Sequence, residues 1–301
     1  MPRTVAVGLD GSPESRAAAE WAAREANLLG VPVKLVHVWE PVPEPMAQAP
    51  LLGAETHQHW TERVPREAAQ GLRLRHPGVE VMTEQLPGHA SELLTKVAKE
   101  SGLLVLGSRA LGGVGGFMVG SIGLSVVAHA ESPVVLVRAG EQAADEHESD
   151  PAGVPSTATA FRPVVLGLDT AAPDDALIEF AFEAARRRGT SLRAVHAWYP
   201  PTYYAYAMPL DAELHASLAA GEATALTDAL RPWRQKYPDV EVVEDSRCGN
   251  AVDVLVAASA EASLVVVGRR VRRNPFGTHI GHVVHAVLHH GAAPVAVVAH
   301  G

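Results

Sequence analysis

The sequence predicts an α/β fold of two tandem, doubly wound parallel sheets, each five-stranded and Rossmann-like in its winding. Three observations predict it. Short apolar runs alternate with amphipathic stretches along the chain, the runs are apolar on both faces, and the chain repeats itself once. Gly8-Leu9-Asp10 recurs as Gly167-Leu168-Asp169, and Val36-His37-Val38-Trp39 as Val195-His196-Ala197-Trp198, both 159 residues later. Further on, Pro77, Gly88, Gly107, Gly120 and Pro133 recur as Pro238, Gly249, Gly268, Gly281 and Pro294, 161 residues later. Ordered matches with one small shift are the mark of a duplication that gained two residues between its second and third strands.

The elements of one repeat follow in order. Val5-Ala6-Val7-Gly8-Leu9 is a short apolar run and a buried strand. Ser12 and Pro13 form a helix N-cap followed by proline at the first helical position. Ala18, Trp21, Ala22, Leu28 and Leu29 then recur at helical spacing until Gly30 stops the helix. Residues 33–39 form the second strand, and a proline-rich loop follows with Pro41, Pro43, Pro45 and Pro50. A helix is expected over 55–75, a strand over 79–85, a helix over 90–100 and a fourth strand over 103–107. A glycine-rich loop leads to a helix over 119–130 and a last strand over 134–137. Residues 1–139 make the first repeat and 163–301 the second. The join, 140–162, is acidic and rich in proline and alanine, and reads as a flexible, solvated linker.

Composition narrows the function. A chain of 301 residues suits two domains, and with 47% apolar but only 5% aromatic residues the cores are aliphatic. A formal net charge of −9 argues against nucleic acid as a partner. The single cysteine, Cys248, excludes an internal disulfide framework and fits a reducing compartment. The N-terminus lacks a basic start followed by an apolar run, and no stretch approaches the roughly 18–20 apolar residues of a membrane helix. The expectation is a cytoplasmic protein with no membrane partner.

Ligands of a doubly wound sheet sit at the carboxyl ends of the strands, where the winding reverses. The loops after strands one and four meet there. The first is Asp10-Gly11-Ser12, and the second runs from Gly107 through Arg109 and Ala110 to Gly120-Ser121. Its glycines let backbone approach a polyphosphate and adopt positive φ, and Gly120-Ser121 opens a helix whose free N–H groups suit an anion. The lysine-bearing phosphate loop and the dinucleotide fingerprint are both absent.

The strand order, the aspartate after strand one and this loop resemble the ATP-binding universal stress proteins. Their signature is glycine, two residues, glycine, nine residues, then glycine with serine or threonine. This chain reads Gly107, two residues, Ala110, nine residues, Gly120-Ser121, so alanine replaces one glycine. The resemblance implies ATP, with magnesium, as ligand. It implies that Asp10 contacts the nucleoside and Val38 the adenine, that Gly107, Arg109 and Ala110 line ribose and phosphates, and that Gly120, Ser121 and Ile122 hold the phosphates. Gly123 stands where the family often has a hydroxyl, and Ala110 brings a methyl to a position suited to left-handed backbone, so weakened binding is expected.

The second repeat keeps Asp169, Gly268 and Gly281 but has Val271, whose β-branch resists positive φ, for the second glycine, His282 for the serine and Ala197 for the adenine-facing valine. Arg269, Arg270, Arg272 and Arg273 crowd its loop. The resemblance therefore implies a degenerate partner that completes a pseudo-dimer within the chain, with a further homodimer and an unidentified client protein as partners. No catalytic residue is assigned, and at most slow ATP hydrolysis is expected. The expected role is a stress-response sensor that changes its protein contacts with nucleotide. Two alternatives stand beside it. One is a dimeric scaffold without nucleotide, and the other a metal-responsive protein using His282, His285 and His289 on one helix face. No metal ligand set is assigned. His279-Ile280-Gly281-His282 spells a signature of class I aminoacyl-tRNA synthetases but lies after a fourth strand rather than a first, and is read as coincidence.

Overall fold

The computed structural model describes residues 4–40, 54–110, 117–200, 212–271 and 280–301. Four sequence features lie outside them: the proline-rich loop, residues 111–116 of the glycine-rich loop, Tyr203, Tyr204 and Tyr206, and residues 272–279 with Arg272, Arg273 and His279. The chain forms two compact units, one built on Met1–Ala143 and one on Ala144–Arg272 with Gly281–Gly301.

In unit 1 the order is β1 (Val5–Leu9), α1 (Pro13–Leu29), β2 (Val33–Trp39), α2 (Ala54–Arg75), β3 (Val81–Pro87), α3 (Ala90–Glu100), β4 (Leu103–Ala110), β5 (Phe117–Met118), α4 (Ser121–His129) and β6 (Val134–Arg138). The strands are parallel in the spatial order β3-β2-β1-β4-β6, so the winding reverses between β1 and β4. Helices α1 and α2 cover one face and α3 and α4 the other. Unit 2 repeats this with β7 (Val164–Gly167), α5 (Asp175–Arg188), β8 (Leu192–Trp198), α6 (Ala212–Lys236), β9 (Val242–Cys248), α7 (Ala251–Ser259), β10 (Leu264–Arg270), α8 (His282–His290) and β11 (Val295–His300). Its parallel order is β9-β8-β7-β10-β11.

The apolar runs explain the central strands. Val5, Ala6, Val7, Leu104, Val105 and Val135 are buried in unit 1, and Val164, Leu166, Val265, Val266 and Ala296 in unit 2. Each such aliphatic side chain contributes about 1.5–3 kcal/mol when removed from water, and only a sheet covered on both faces buries neighbours along a strand together. Helix α1 begins as its sequence predicts. Ser12 Oγ accepts the Ser15 N–H at 3.1 Å, Pro13 follows, and Gly30 closes the helix in left-handed conformation at φ 64°.

The structure departs from the sequence reading in three places. Strand β3 starts two residues later than expected, because Val79 donates to His76 O at 3.0 Å and belongs to the turn that closes α2. An unexpected short strand follows β4, where Phe117 and Met118 pair antiparallel with Ala110 and Arg109. The join is folded rather than flexible. Bridges His147–Phe161 and Ser149–Pro155 close it, Glu148 N–H donates to Ala160 O at 2.9 Å, and Glu146 is buried with His147. The His147 ring packs on Phe161 at 4.1 Å, an apolar contact that charge and proline content conceal.

Candidate functional site

At the carboxyl edge of unit 1, between β1 and β4, lies a cavity of about 500 Å³. Gly8, Leu9 and Asp10 come from the end of β1, Ser12, Glu14 and Ser15 from the start of α1, and Val36 and Val38 from β2. Leu106 and Gly107 of β4, Ala90 and Leu94 of α3, and Gly120, Ser121, Ile122 and Gly123 at the start of α4 complete it. The cavity thus gathers Asp10, Val38, Gly107, Gly120, Ser121 and Ile122. Arg109 and Ala110 end β4, with their side chains outside the described set.

Local chemistry fixes the first loop. Asp10 Oδ1 accepts the Ser12 N–H at 2.9 Å, Gly11 turns the chain at φ 83°, and Ser15 Oγ donates to Ser12 O at 3.0 Å. Burial pushes the Asp10 carboxyl up, but hydrogen bonds from Ser12 and Ser15 outweigh it and hold the group below the usual carboxylate range. Asp10 is therefore an anion at neutral pH, and a hydrogen-bond acceptor.

The two signature glycines serve different ends. A Cβ on Gly107 would sit 2.4 Å from the Glu14 carbonyl carbon and 2.7 Å from Ser15 N, so the bare backbone of β4 is what lets α1 start so close. A Cβ on Gly120 would meet nothing within 4 Å, and its backbone, at φ −61° and ψ 158°, suits any residue. Packing explains Gly107, whereas Gly120 leaves open space at the mouth of a helix. Helix α4 has no side-chain cap; its first internal bond is Leu124 N–H to Gly120 O at 3.0 Å, which leaves the N–H groups of Ser121, Ile122 and Gly123 without a helical acceptor. Ile122 is 47% exposed, an apolar surface at the rim. Among the described side chains no lysine, arginine or histidine lines this cavity, and helix N–H groups and hydroxyls stand there beside two carboxylates.

Positive φ plays no part at either loop position where the sequence suggested it. Ala110 is extended within β4, paired with Phe117. Val271 donates its N–H to His300 O at 2.7 Å, and no non-glycine residue among those described has positive φ. Ala110 lies in the ladder and Val271, one residue past the end of β10, still bonds the neighbouring strand without positive φ, which removes the expected penalty of both.

Unit 2 has a matching cavity of about 440 Å³, lined by Asp169, Ala197, Leu255 and Gly268, with His282, Val283 and Val284 where unit 1 has Ser121, Ile122 and Gly123. Gly281 caps α8 beside it, again with nothing within 4 Å of a Cβ. The loop after β7 is longer, and Asp174 rather than a serine caps α5, accepting from Ala176 and Leu177 N–H at 2.9 and 3.2 Å. The arginine-rich reading changes too: Arg269 is 3% exposed and faces inward, leaving Arg270 exposed among the described pair.

The sequence reading missed Glu14, Ser15, Ala90 and Leu94. Glu14 lies one helical turn beyond Asp10, and Ala90 opens the helix after β3, on the same sheet edge; both follow from the winding once strand ends are fixed. Along the last helix, the His285 and His289 rings meet tilted at 38°, with centroids 4.4 Å apart. Burial, then the neighbouring His289 and His290, push the His285 imidazole below its ordinary range. No group of three or more His, Cys, Asp or Glu among the described residues is arranged to hold a metal ion. No helix among them is long and apolar enough to cross a membrane.

Comparison with known proteins adds an independent line. The model of the universal stress protein family matches residues 1–138 and again 160–299. Universal stress protein Rv1996 of Mycobacterium tuberculosis (strain ATCC 25618 / H37Rv) is 32% identical over 320 residues, covering 97% of this chain and 94% of its own. A universal stress protein of Mycolicibacterium smegmatis (strain ATCC 700084 / mc(2)155) is 31% identical over 300 residues, covering 98% and 96%. Among solved structures, a universal stress protein from Archaeoglobus fulgidus DSM 4304 superposes with a TM-score of 0.71 at 16% identity, with both chains fully covered. A putative universal stress protein from Pseudomonas aeruginosa UCBPP-PA14 gives 0.59 at 15%, covering 99% of this chain and 93% of that one. With the same winding in both units, the same sheet-edge cavity and a family match to each half, the chain belongs to the universal stress protein family.

Proposed function

We propose that unit 1 binds ATP with magnesium and that occupancy alters the surface offered to a client protein. Family membership supports a role in the stress response. The observation that carries the nucleotide reading is Gly120. Neither its backbone nor its packing requires glycine, yet it stands at an uncapped helix start inside a cavity of about 500 Å³. A missing side chain there gives a phosphate access to the N–H groups of Ser121 and Ile122. Leu9, Val36, Val38 and Leu106 supply an apolar wall for a base, and Asp10 an acceptor for ribose hydroxyls. Asp10 and Glu14 are the carboxylates that would hold a magnesium ion, whose charge would screen them from the phosphates.

Unit 2 is read as the poorer site. The imidazole of His282 and the isopropyl of Val284 stand where unit 1 offers a hydroxyl and bare backbone. The test is the nucleotide carried by the purified full chain, followed by titration with ATP–Mg²⁺. One nucleotide per chain is expected, and Gly120→Val abolishes it while melting within a few degrees of wild type. Unaltered affinity in Gly120→Val, or no binding by wild type, overturns the reading.

A further inference from the structure

We propose that His37 and His196 are positioning residues, each clamping the backbone carbonyl that precedes the aspartate of its site loop. For unit 1 the effect on ligand rests on the nucleotide reading above; the clamp itself does not. His37 Nδ1 lies 2.7 Å from Leu9 O, and His196 Nδ1 lies 3.1 Å from Leu168 O. Leu9 and Leu168 immediately precede Asp10 and Asp169. A carbonyl only accepts, so Nδ1 carries the proton in both rings, and this bond survives whether or not Nε2 is protonated.

The location gives the bond its consequence. Leu9 ends β1 and is the register partner of His37 on β2. Beyond Leu9 the sheet no longer restrains the chain, which enters the Asp10–Ser12 turn and then α1. Val33–Trp39 is apolar apart from Lys34 and His37, and the His37 ring is only half-buried, so burial alone does not call for it. A side chain that fixes the last carbonyl of the strand sets where the Asp10 carboxylate and the Ser12 cap fall, and with them the edge of the cavity.

Unit 2 ties the same ring more tightly. His196 Nε2 lies 3.3 Å from Thr170 Oγ1 and 3.0 Å from Glu222 Oε2 of α6. Leu168 and Thr170 flank Asp169, so one buried ring holds the site loop on both sides of its aspartate and anchors it to a helix. Unit 1 has Gly11 where unit 2 has Thr170, which leaves its loop with the carbonyl clamp alone on that side.

The experiment uses the full chain and two variants. His37→Asn keeps an N–H donor at the Nδ1 position, and His37→Phe keeps the bulk and removes the donor. Long-range ¹H–¹⁵N spectra of the wild-type ring should show the proton on Nδ1; a proton on Nε2 alone overturns the proposal. Amide exchange at Ser12, whose N–H bonds Asp10, should speed up about tenfold in His37→Phe and return to within threefold of wild type in His37→Asn, with exchange inside α1 unchanged. ATP–Mg²⁺ affinity should follow the same order, about tenfold weaker and then restored. A merely structural histidine would instead lower the melting temperature in both variants without separating them in exchange or affinity. If wild type binds no ATP, the nucleotide reading fails, and the ring tautomer and Ser12 exchange still decide the clamp.

Discussion

Gly107 and Gly120 belong to one loop motif, yet different forces fix them, and substitution separates the two. Gly107→Ala drives a methyl into the backbone of Glu14 and Ser15, which cannot swing aside, so a loss of about 1–3 kcal/mol or more is expected in denaturant unfolding. Gly120→Ala points its methyl into open space and should leave stability within about 0.5 kcal/mol of wild type, while weakening ATP–Mg²⁺ binding measured by calorimetry. Equal losses of stability in the two variants would remove the distinction on which the nucleotide reading rests. The motif was legible in the sequence, but the reason for each glycine was not, because the distance between α1 and β4 is written in neither segment alone.

Strands β3 and β9 lie at one end of the strand order of their units, and in β9 side-chain bonds add to the ladder. Arg193 of β8 donates from Nε and Nη2 to Asp245 Oδ2 of β9 at 3.0 and 2.6 Å, and Arg247 Nε donates to Oδ1 at 2.6 Å. Burial raises the Asp245 carboxyl, but its bonds to Arg247 and Arg193 prevail and hold it below the usual range. A carboxyl depressed in the folded state stabilises above its unfolded pKa of about 3.9, and that stability is lost as pH falls through the lower folded value. Asp245→Asn should therefore cost about 1–2 kcal/mol at pH 7 and progressively less below about pH 4, read from urea midpoints across pH. A cost that does not change with pH would deny the ion pair its role. Elements of this kind were visible as period and length, and their partners were not. Strand β3 shows the limit, since Val79 looks like strand until the His76 carbonyl draws it into a turn.

At the scale of the chain, two units share one plan with unequal sites. Saturating ATP–Mg²⁺, at about a hundred times its dissociation constant, should stabilise the nucleotide-binding unit by about 2.7 kcal/mol, seen as a shift of one thermal transition or a split into two. Both units shifting equally would mean that His282 and Val284 do not degrade the second site. The join offers a separate check. A flexible acidic linker would be the first place a protease cuts, whereas a segment with bridged strands and buried Glu146 and His147 should outlast exposed loops in limited proteolysis.

The amino-acid sequence by itself determined the duplication, the alternation of strand and helix, and the two loops that meet at the sheet edge, because each is a local pattern of apolar period, glycine and cap. Asp10, Gly107, Gly120 and Ser121 could be named from it, since winding alone sends the loops after strands one and four to the same crevice. Tertiary structure decided what each position does there. It brought Glu14 into the cavity, kept Ala110 and Val271 out of the left-handed backbone that had been expected, turned Arg269 inward, closed the join, and set the His37 ring against Leu9 O. The physical reason is the range of the forces. Propensity and period act over a turn or a strand, whereas steric exclusion and hydrogen bonds between distant segments exist only after the sheet has assembled.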